Sequence, residues 1–276
     1  MQPGSIASGS QERTQRFGVL SRPVLLVVTL IAGMLLWWLL VRVSGLPAFI
    51  LPAPGQVWGR FLTLLADGSL LRHTAATLSE VLAGLVAGTA LAAATGYAIA
   101  KSPSAERLLS PYIVASQAIP VVAIAPLLVI WFGPGWFSKV VVAGLIVFFP
   151  VLVNTVVGLR SVPAELHELM RSLRASRRQI FVKLEVPGAL PVLFGGLKIG
   201  ATLSVIGAVV GEFVGADRGL GFLINLGRGL YDTPQVFVGI FTLVALALAL
   251  YGLISLAESQ TLAWRRREVP LARRSQ

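Results

Sequence analysis

Six stretches of about twenty predominantly apolar residues, near 23–42, 79–100, 111–132, 139–159, 189–211 and 236–257, constrain this chain more than any other feature. Each is long enough, at 1.5 Å per residue, to cross roughly 30 Å of hydrocarbon as a helix. Lipid offers the backbone no hydrogen-bond partner, so a spanning segment must be a helix or part of a closed barrel. These runs are continuously apolar and lack the alternation of barrel strands. The expectation is an all-α membrane protein with six transmembrane helices. With 55% hydrophobic and only 13% charged residues, the composition lies outside the range of soluble domains.

The formal net charge of +11 could suit nucleic acid, but the basic residues cluster between apolar runs instead of forming a soluble basic face. No nucleic-acid partner is expected; the charge reads as a topology signal. With a cytoplasmic N-terminus, Arg13, Arg16, Arg22, Lys101, Arg107, Arg160, the basic residues of 171–183, and Arg265, Arg266, Arg267, Arg273 and Arg274 fall on one side. The other side receives Arg42, Arg60, Arg72, Lys139, Arg218 and Arg228. This bias places both termini and the 160–188 loop in the cytoplasm. Trp131 and Trp136 flank a short outer loop and Trp264 precedes Arg265 at the inner boundary, as an aromatic belt would have them. Residues 1–22 form a polar tail, and the apolar run after them has no small-residue cleavage site, so it reads as a retained signal anchor. The six spans then occupy 23–258 and a basic tail 259–276. The outer connection 44–78 carries Val57, Phe61, Leu64 and Leu65 at helical spacing and is expected to hold a short surface helix.

The central loop is where charge concentrates, with Arg171, Arg174, Arg177, Arg178 and Lys183. From 163 to 174, Leu166, Leu169, Met170 and Leu173 form one apolar stripe on a helix whose other faces carry Glu165, His167, Glu168 and Arg171. Pro163 suits its first turn, and Glu165 and Glu168 the positive end of its dipole. Ser176 and Gln179 have capping-box spacing for a second short helix with Ile180, Phe181 and Leu184 on its apolar side, stopped by Pro187 and Pro191. On these residues alone the pair of helices is either an amphipathic element resting on anionic membrane lipid or a docking surface for a soluble partner.

The loop resembles that of the membrane subunits of binding-protein-dependent ABC importers, whose pattern is E-A-A, three residues, G, nine residues, I-x-L-P. Glu168, Leu169 and Met170 occupy the E-A-A positions, Arg174 the glycine position, and Leu184, Glu185, Val186 and Pro187 the I-x-L-P end. Arg174 is a departure, since a left-handed turn there costs a non-glycine residue roughly 1 kcal/mol. The stretches "SQAIPVVAIAPLLVIWFGPG" (116–135), "FFPVLVNTVVGLRSVP" (148–163) and "GEFVGADRGLG" (211–221) resemble the nitrate, sulfonate, taurine and thiamine-precursor branch. The resemblance implies the ABC importer permease fold in a bacterial inner membrane, a second permease copy, ATP-binding ABC subunits that seat the loop as a coupling helix, and an extracytoplasmic solute-binding protein. It makes Glu168, Leu169, Met170, Arg171, Arg174, Leu184 and Pro187 the residues that couple to the ATPase. The stretch 196–212 leans toward a thiamine-precursor or other heteroaromatic solute.

No chemistry of its own is expected of the chain. There is no phosphate-loop motif, "GLGFLI" at 219–224 lacks the third glycine and preceding strand of a dinucleotide site, and no cysteine is present. With His73 and His167 the only histidines, no metal or cofactor site is indicated. Polar residues in or beside the spans are the candidates for a solute path, because charge in hydrocarbon is costly. Glu80 and Glu258 lie near expected span ends and read as solvated or snorkelling. Lys198 and Glu212 share the fifth span about 21 Å apart and cannot pair within one straight helix. Glu212 either borders the path or hydrogen bonds to the following outer loop; Gln117 and Asn154 either line the path or bond neighbouring helices. Gly84 with Gly88, and Gly207 with Gly211, have the small-xxx-small spacing of close helix contacts. The rival functions are an ion-gradient-driven secondary transporter, which calls for inverted repeats and carboxylates at mid-membrane, and a scaffold that only recruits a soluble enzyme.

Overall fold

The computed structural model of the chain describes residues 22–117 and 120–263, and every regular element among them is helical. The tails, with Arg13, Arg16, Trp264 and the arginines beyond it, lie outside the described residues, as does the side chain of Gln117. The chain divides into two compact units, Met1–Gly55 and Gln56–Gln276. In the first, α1 (Arg22–Ser44) contains the apolar window Val27–Ser44 and ends on Arg42 in its last turn.

The second unit begins with most of α2 (Pro54–Ala66), the expected short helix, which buries Val57 and Leu64. Asp67 and Gly68 turn the chain directly into α3 (Ser69–Ala100): Gly68 is left-handed at φ 72°, and Asp67 Oδ1 accepts from the N–H of Ser69 at 2.7 Å. α4 (Pro103–Gln117) and α5 (Val121–Phe132) follow, then α6 (Trp136–Arg160), the short α7 (Ala164–Ser172), α8 (Arg177–Ile180), a π-helical turn (Phe181–Glu185), α9 (Val186–Gly215), α10 (Leu220–Gly229) and α11 (Thr233–Thr261). Four of these are long and apolar enough to span a membrane: α3, α6, the continuous run 177–215 and α11.

Glycine contacts fix how the long helices run. A Cβ on Gly84 or Gly88 of α3 would strike Ala143 Cβ at 2.5 Å or Gly144 O at 2.6 Å, and one on Gly96 would strike Thr155 at 2.8 Å. The two numberings rise together, so α3 and α6 are parallel. Gly196, Gly207 and Gly211 of α9 abut Asn154, Ala143 and Lys139 of α6, so α9 is antiparallel to it. Both small-xxx-small pairs thus serve packing: they bring backbones into the close approach that substitutes for hydrophobic driving force in lipid. The shared core is Val81, Leu85 and Ala92 of α3, Val147 and Val151 of α6, and Ala201, Val205 and Ala208 of α9, with Leu250 of α11.

Parallel α3 and α6 require the chain to cross back between them, and α4 with α5 makes that crossing. The expected span 111–132 is therefore a real crossing but not one helix. Pro120 is extended at ψ 106° ahead of α5, whose twelve residues reach only about 18 Å. A second correction concerns Pro187 and Pro191, which do not stop the helix that begins after Ser176. The π turn lets the N–H of Val186 reach back to Phe181 O, Pro187 follows in the first turn of α9 after this slip in register, and Pro191 is carried inside the helix. Finally, α10 forms in the connection after α9, where no helix is expected from the sequence.

Candidate functional site

The two ends of the second unit carry different chemistry. At the end where α7 lies, Glu165 stands in the first turn of that helix and the helix closes with a doubly bonded C-terminal motif. The N–H of Arg174 donates to Arg171 O and that of Ala175 to Met170 O, each at 2.9 Å, with Arg174 left-handed at φ 55°. The glycine position of the resembling pattern is thus a left-handed position here also, occupied by arginine. Ser176 then opens α8: its hydroxyl accepts from the N–H of Gln179 at 3.3 Å while its own N–H donates to Gln179 Oε1 at 2.7 Å, completing the capping box. Leu184 lies in the π turn, and Pro187 just beyond it.

No residue of α7 is buried, and its apolar stripe lies uncovered. Leu166, Leu169 and Leu173 are 42%, 54% and 69% exposed, with Met170 half-buried. His167, Glu168 and Arg171 border an open cavity of about 310 Å³ together with Lys101, Arg160 and Glu185. Glu185 anchors this cavity: it is 2% exposed, one carboxylate oxygen takes the ammonium of Lys101, and the same oxygen lies 3.3 Å from His167 Nε2. Arg160 pairs with Glu106 and so ties the end of α6 to α4.

The opposite end holds a larger cavity, about 960 Å³, with Arg72, His73, Glu80, Trp136, Lys139 and Arg218 among its lining residues. Its wall is a hydrogen-bonded loop. The N–H of Gly219 donates to His73 Nδ1 at 3.0 Å, that of Leu220 to Thr77 Oγ1 at 2.7 Å, and Thr77 donates in turn to Glu212 Oε1 at 2.6 Å. Glu212 Oε2 accepts from the N–H of Gly221. Glu212 therefore serves the loop that follows α9, and a Cβ on Gly219 would collide with its carboxyl. Lys139, also buried, donates to Pro134 O at 2.5 Å and Gly135 O at 3.1 Å. Trp136 donates to Ser79 at 3.0 Å. At this same end Arg60 reaches Asp232 at 2.8 Å and Gln235 Oε1 at 2.6 Å, joining α2 to the start of α11.

Two expectations about polar residues are corrected. Glu80 is neither solvated nor snorkelling: it is 2% exposed, because α3 begins at Ser69 and places it in the fourth turn of a packed helix beside Glu212. Glu258 is paired with Lys198 across α9 and α11, with Tyr251 5.8 Å from the ammonium. Asn154 donates to Pro150 O of its own helix at 2.8 Å and packs its side chain against Gly196. Glu185 and Lys101 went unmarked as a pair in the sequence because 84 residues separate them. An acidic residue directly before the proline-bearing turn was the only local hint. For α10 a signal did exist: Leu220, Leu223, Ile224 and Gly227 repeat at helical spacing and are all buried.

Residues 81–262 match the family described as binding-protein-dependent transport system inner membrane component. The chain belongs to this family. The riboflavin transport system permease protein of Chloroflexus aurantiacus is 50% identical over 239 residues, 87% of this chain and 89% of that protein. The formylaminopyrimidine transport permease protein of Halalkalibacterium halodurans is 38% identical, covering 85% and 93% of the two chains. The taurine transport system permease protein of Escherichia coli is 33% identical, covering 84% and 86%. A methionine ABC transporter solved in inward-facing conformations shares the fold at a TM-score of 0.57 and 24% identity, over 70% of this chain and 94% of that one. The permease is thus the multi-pass inner-membrane subunit of an ABC importer for a small solute, and it is not the ATPase. Permeases of this family work with ATP-binding subunits and solute-binding proteins.

Proposed function

We propose that two copies of this permease enclose a solute path and that α7 with its flanking turns, residues 163–187, is the cytoplasmic handle on which the ATP-binding subunits pull. The observation that carries this reading is the uncovered apolar stripe of α7. Leu166, Leu169 and Leu173 are exposed beside Glu168 and Arg171, on a helix none of whose residues is buried, and a partner is needed to cover them. Glu168, Leu169, Met170, Arg171 and Arg174 form the seat, and Leu184 and Pro187 pass its displacement into α9. Closure of the ATPase dimer would shift the spans between inward-open and outward-open states, with direction set by differential affinity of solute and partners for the two.

The charge bias supports cytoplasmic termini and an extracytoplasmic face at the α10 end, where the 960 Å³ cavity opens toward the solute-binding protein. Asn154 and Glu212 contribute to the path by fixing its walls, and Gln117, the last residue of α4, borders it. The relatives named for riboflavin and formylaminopyrimidine support a planar heteroaromatic solute, riboflavin first.

The test uses the permease with its ATPase and binding protein in proteoliposomes. Glu168→Arg is expected to abolish ATPase co-purification or ATP-driven uptake while membrane insertion persists. Undiminished uptake rejects the docking assignment. Labelled riboflavin should be taken up and compete with other flavins but not with taurine; saturable taurine uptake in its place rejects the solute class.

A further inference from the structure

Glu185 joins three elements that must move together if α7 is a handle. Its side chain springs from the last residue of the π turn, where the hydrogen-bond register slips between α8 and α9. Its carboxylate takes Lys101, the C-cap of α3, and the ring of His167 on α7. Both contacts land on one oxygen. The second oxygen is buried and has no hydrogen-bond partner, so half of the acceptor capacity of this buried charge is unused.

From this geometry we infer that Glu185 is the positioning residue through which displacement of α7 is handed to α3 and α9. No residue of α7 is itself buried, and its C-terminal motif and the capping box that follows are local to the loop. Two ties run from the loop to α3: the ring of Phe181 packs edge-on against Tyr97 at 5.1 Å, and Glu185 pairs with Lys101, the polar one of the two and the one that also reaches α7. A π turn is a place where a helix can change register without breaking, and an ion pair at its end makes the register of α9 depend on where α3 and α7 lie. Arg160 and Arg171 line the same cavity and stand as cations toward which the unused oxygen can turn when α7 shifts. A turn of that oxygen would supply the second discrete arrangement that coupling requires.

The inference rests on the reading of α7 as the ATPase seat, and the experiment separates the two. The natural absence of cysteine allows paired spin labels at Ser172→Cys on α7 and Ala98→Cys on α3 in the assembled complex. With the native Glu185, ATP binding should immobilise the Ser172 label and change the Ser172–Ala98 distance. Glu185→Gln keeps the shape and removes the charge. It should leave ATPase co-purification and basal hydrolysis unchanged, while stimulation by the solute-loaded binding protein falls about tenfold and the ATP-dependent distance change is lost. The charge swap Glu185→Lys with Lys101→Glu should restore part of the stimulation. Stimulation and distance change that survive Glu185→Gln overturn the inference, as does a swap that rescues nothing although the complex assembles. A Ser172 label insensitive to ATPase in the native background rejects the seat itself, a separate outcome.

Discussion

Arg174 and Tyr231 show at single residues how the chain tolerates local strain. Both close a helix in the left-handed region, at φ 55° and 56°, where a Cβ is costly. Arg174→Gly should relieve about 1 kcal/mol and raise the thermal midpoint of the detergent-solubilised permease by about 2–4 °C, read by scanning fluorimetry. A fall would show that the arginine side chain offsets the strain. Glu212 is the opposite case, a buried carboxylate whose bonds to Thr77 and Gly221 are all satisfied within the protein. Glu212→Ala leaves those donors unpaired at about 1–3 kcal/mol each. Amide exchange should quicken selectively at Gly219–Leu223, where α10 begins.

Among elements, the α3–α6–α9 packing depends on the absence of side chains at the contact. Gly88→Ala places a methyl 2.6 Å from Gly144 O, so it should destabilise by about 1–3 kcal/mol and lower the midpoint. Gly252→Ala of α11 has open space around the added carbon and should instead gain about 0.5–1 kcal/mol from helix propensity. Equal effects of the two would contradict the register described. The spacing of these glycines made the contacts legible in sequence; the partner helix and the parallel run of α3 and α6 were not, because spacing carries no information on which surface meets which. The third crossing was misjudged for a related reason. Hydropathy reports composition averaged over a window, whereas Pro120 breaks the helix at one residue without making the segment any less apolar.

At the scale of the molecule, basic residues divide between two ends, Lys101, Arg160 and Arg171 at one and Arg72, Lys139 and Arg218 at the other. Single cysteines should test the orientation proposed from that division. In intact cells, Ser172→Cys should resist a membrane-impermeant maleimide until the membrane is opened, and Arg218→Cys should react at once. The reverse pattern would invert the topology. Pairing of two copies predicts that differently tagged permeases co-purify in one complex with the ATPase; recovery of single-tag complexes alone would refute it.

Six crossings, the all-helical class, the apolar stripe of α7 and the capping box at Ser176 were determined by the sequence itself. Each follows from hydropathy, period or hydrogen bonds between residues a few positions apart, and those forces act before distant segments meet. The burial of Glu80, the Lys198–Glu258 pair and the junction at Glu185 were decided only by the tertiary structure. A charged residue near the end of an apolar run looks the same whether water or a partner dozens of residues away will neutralise it, and only the packing of the helices selects between them.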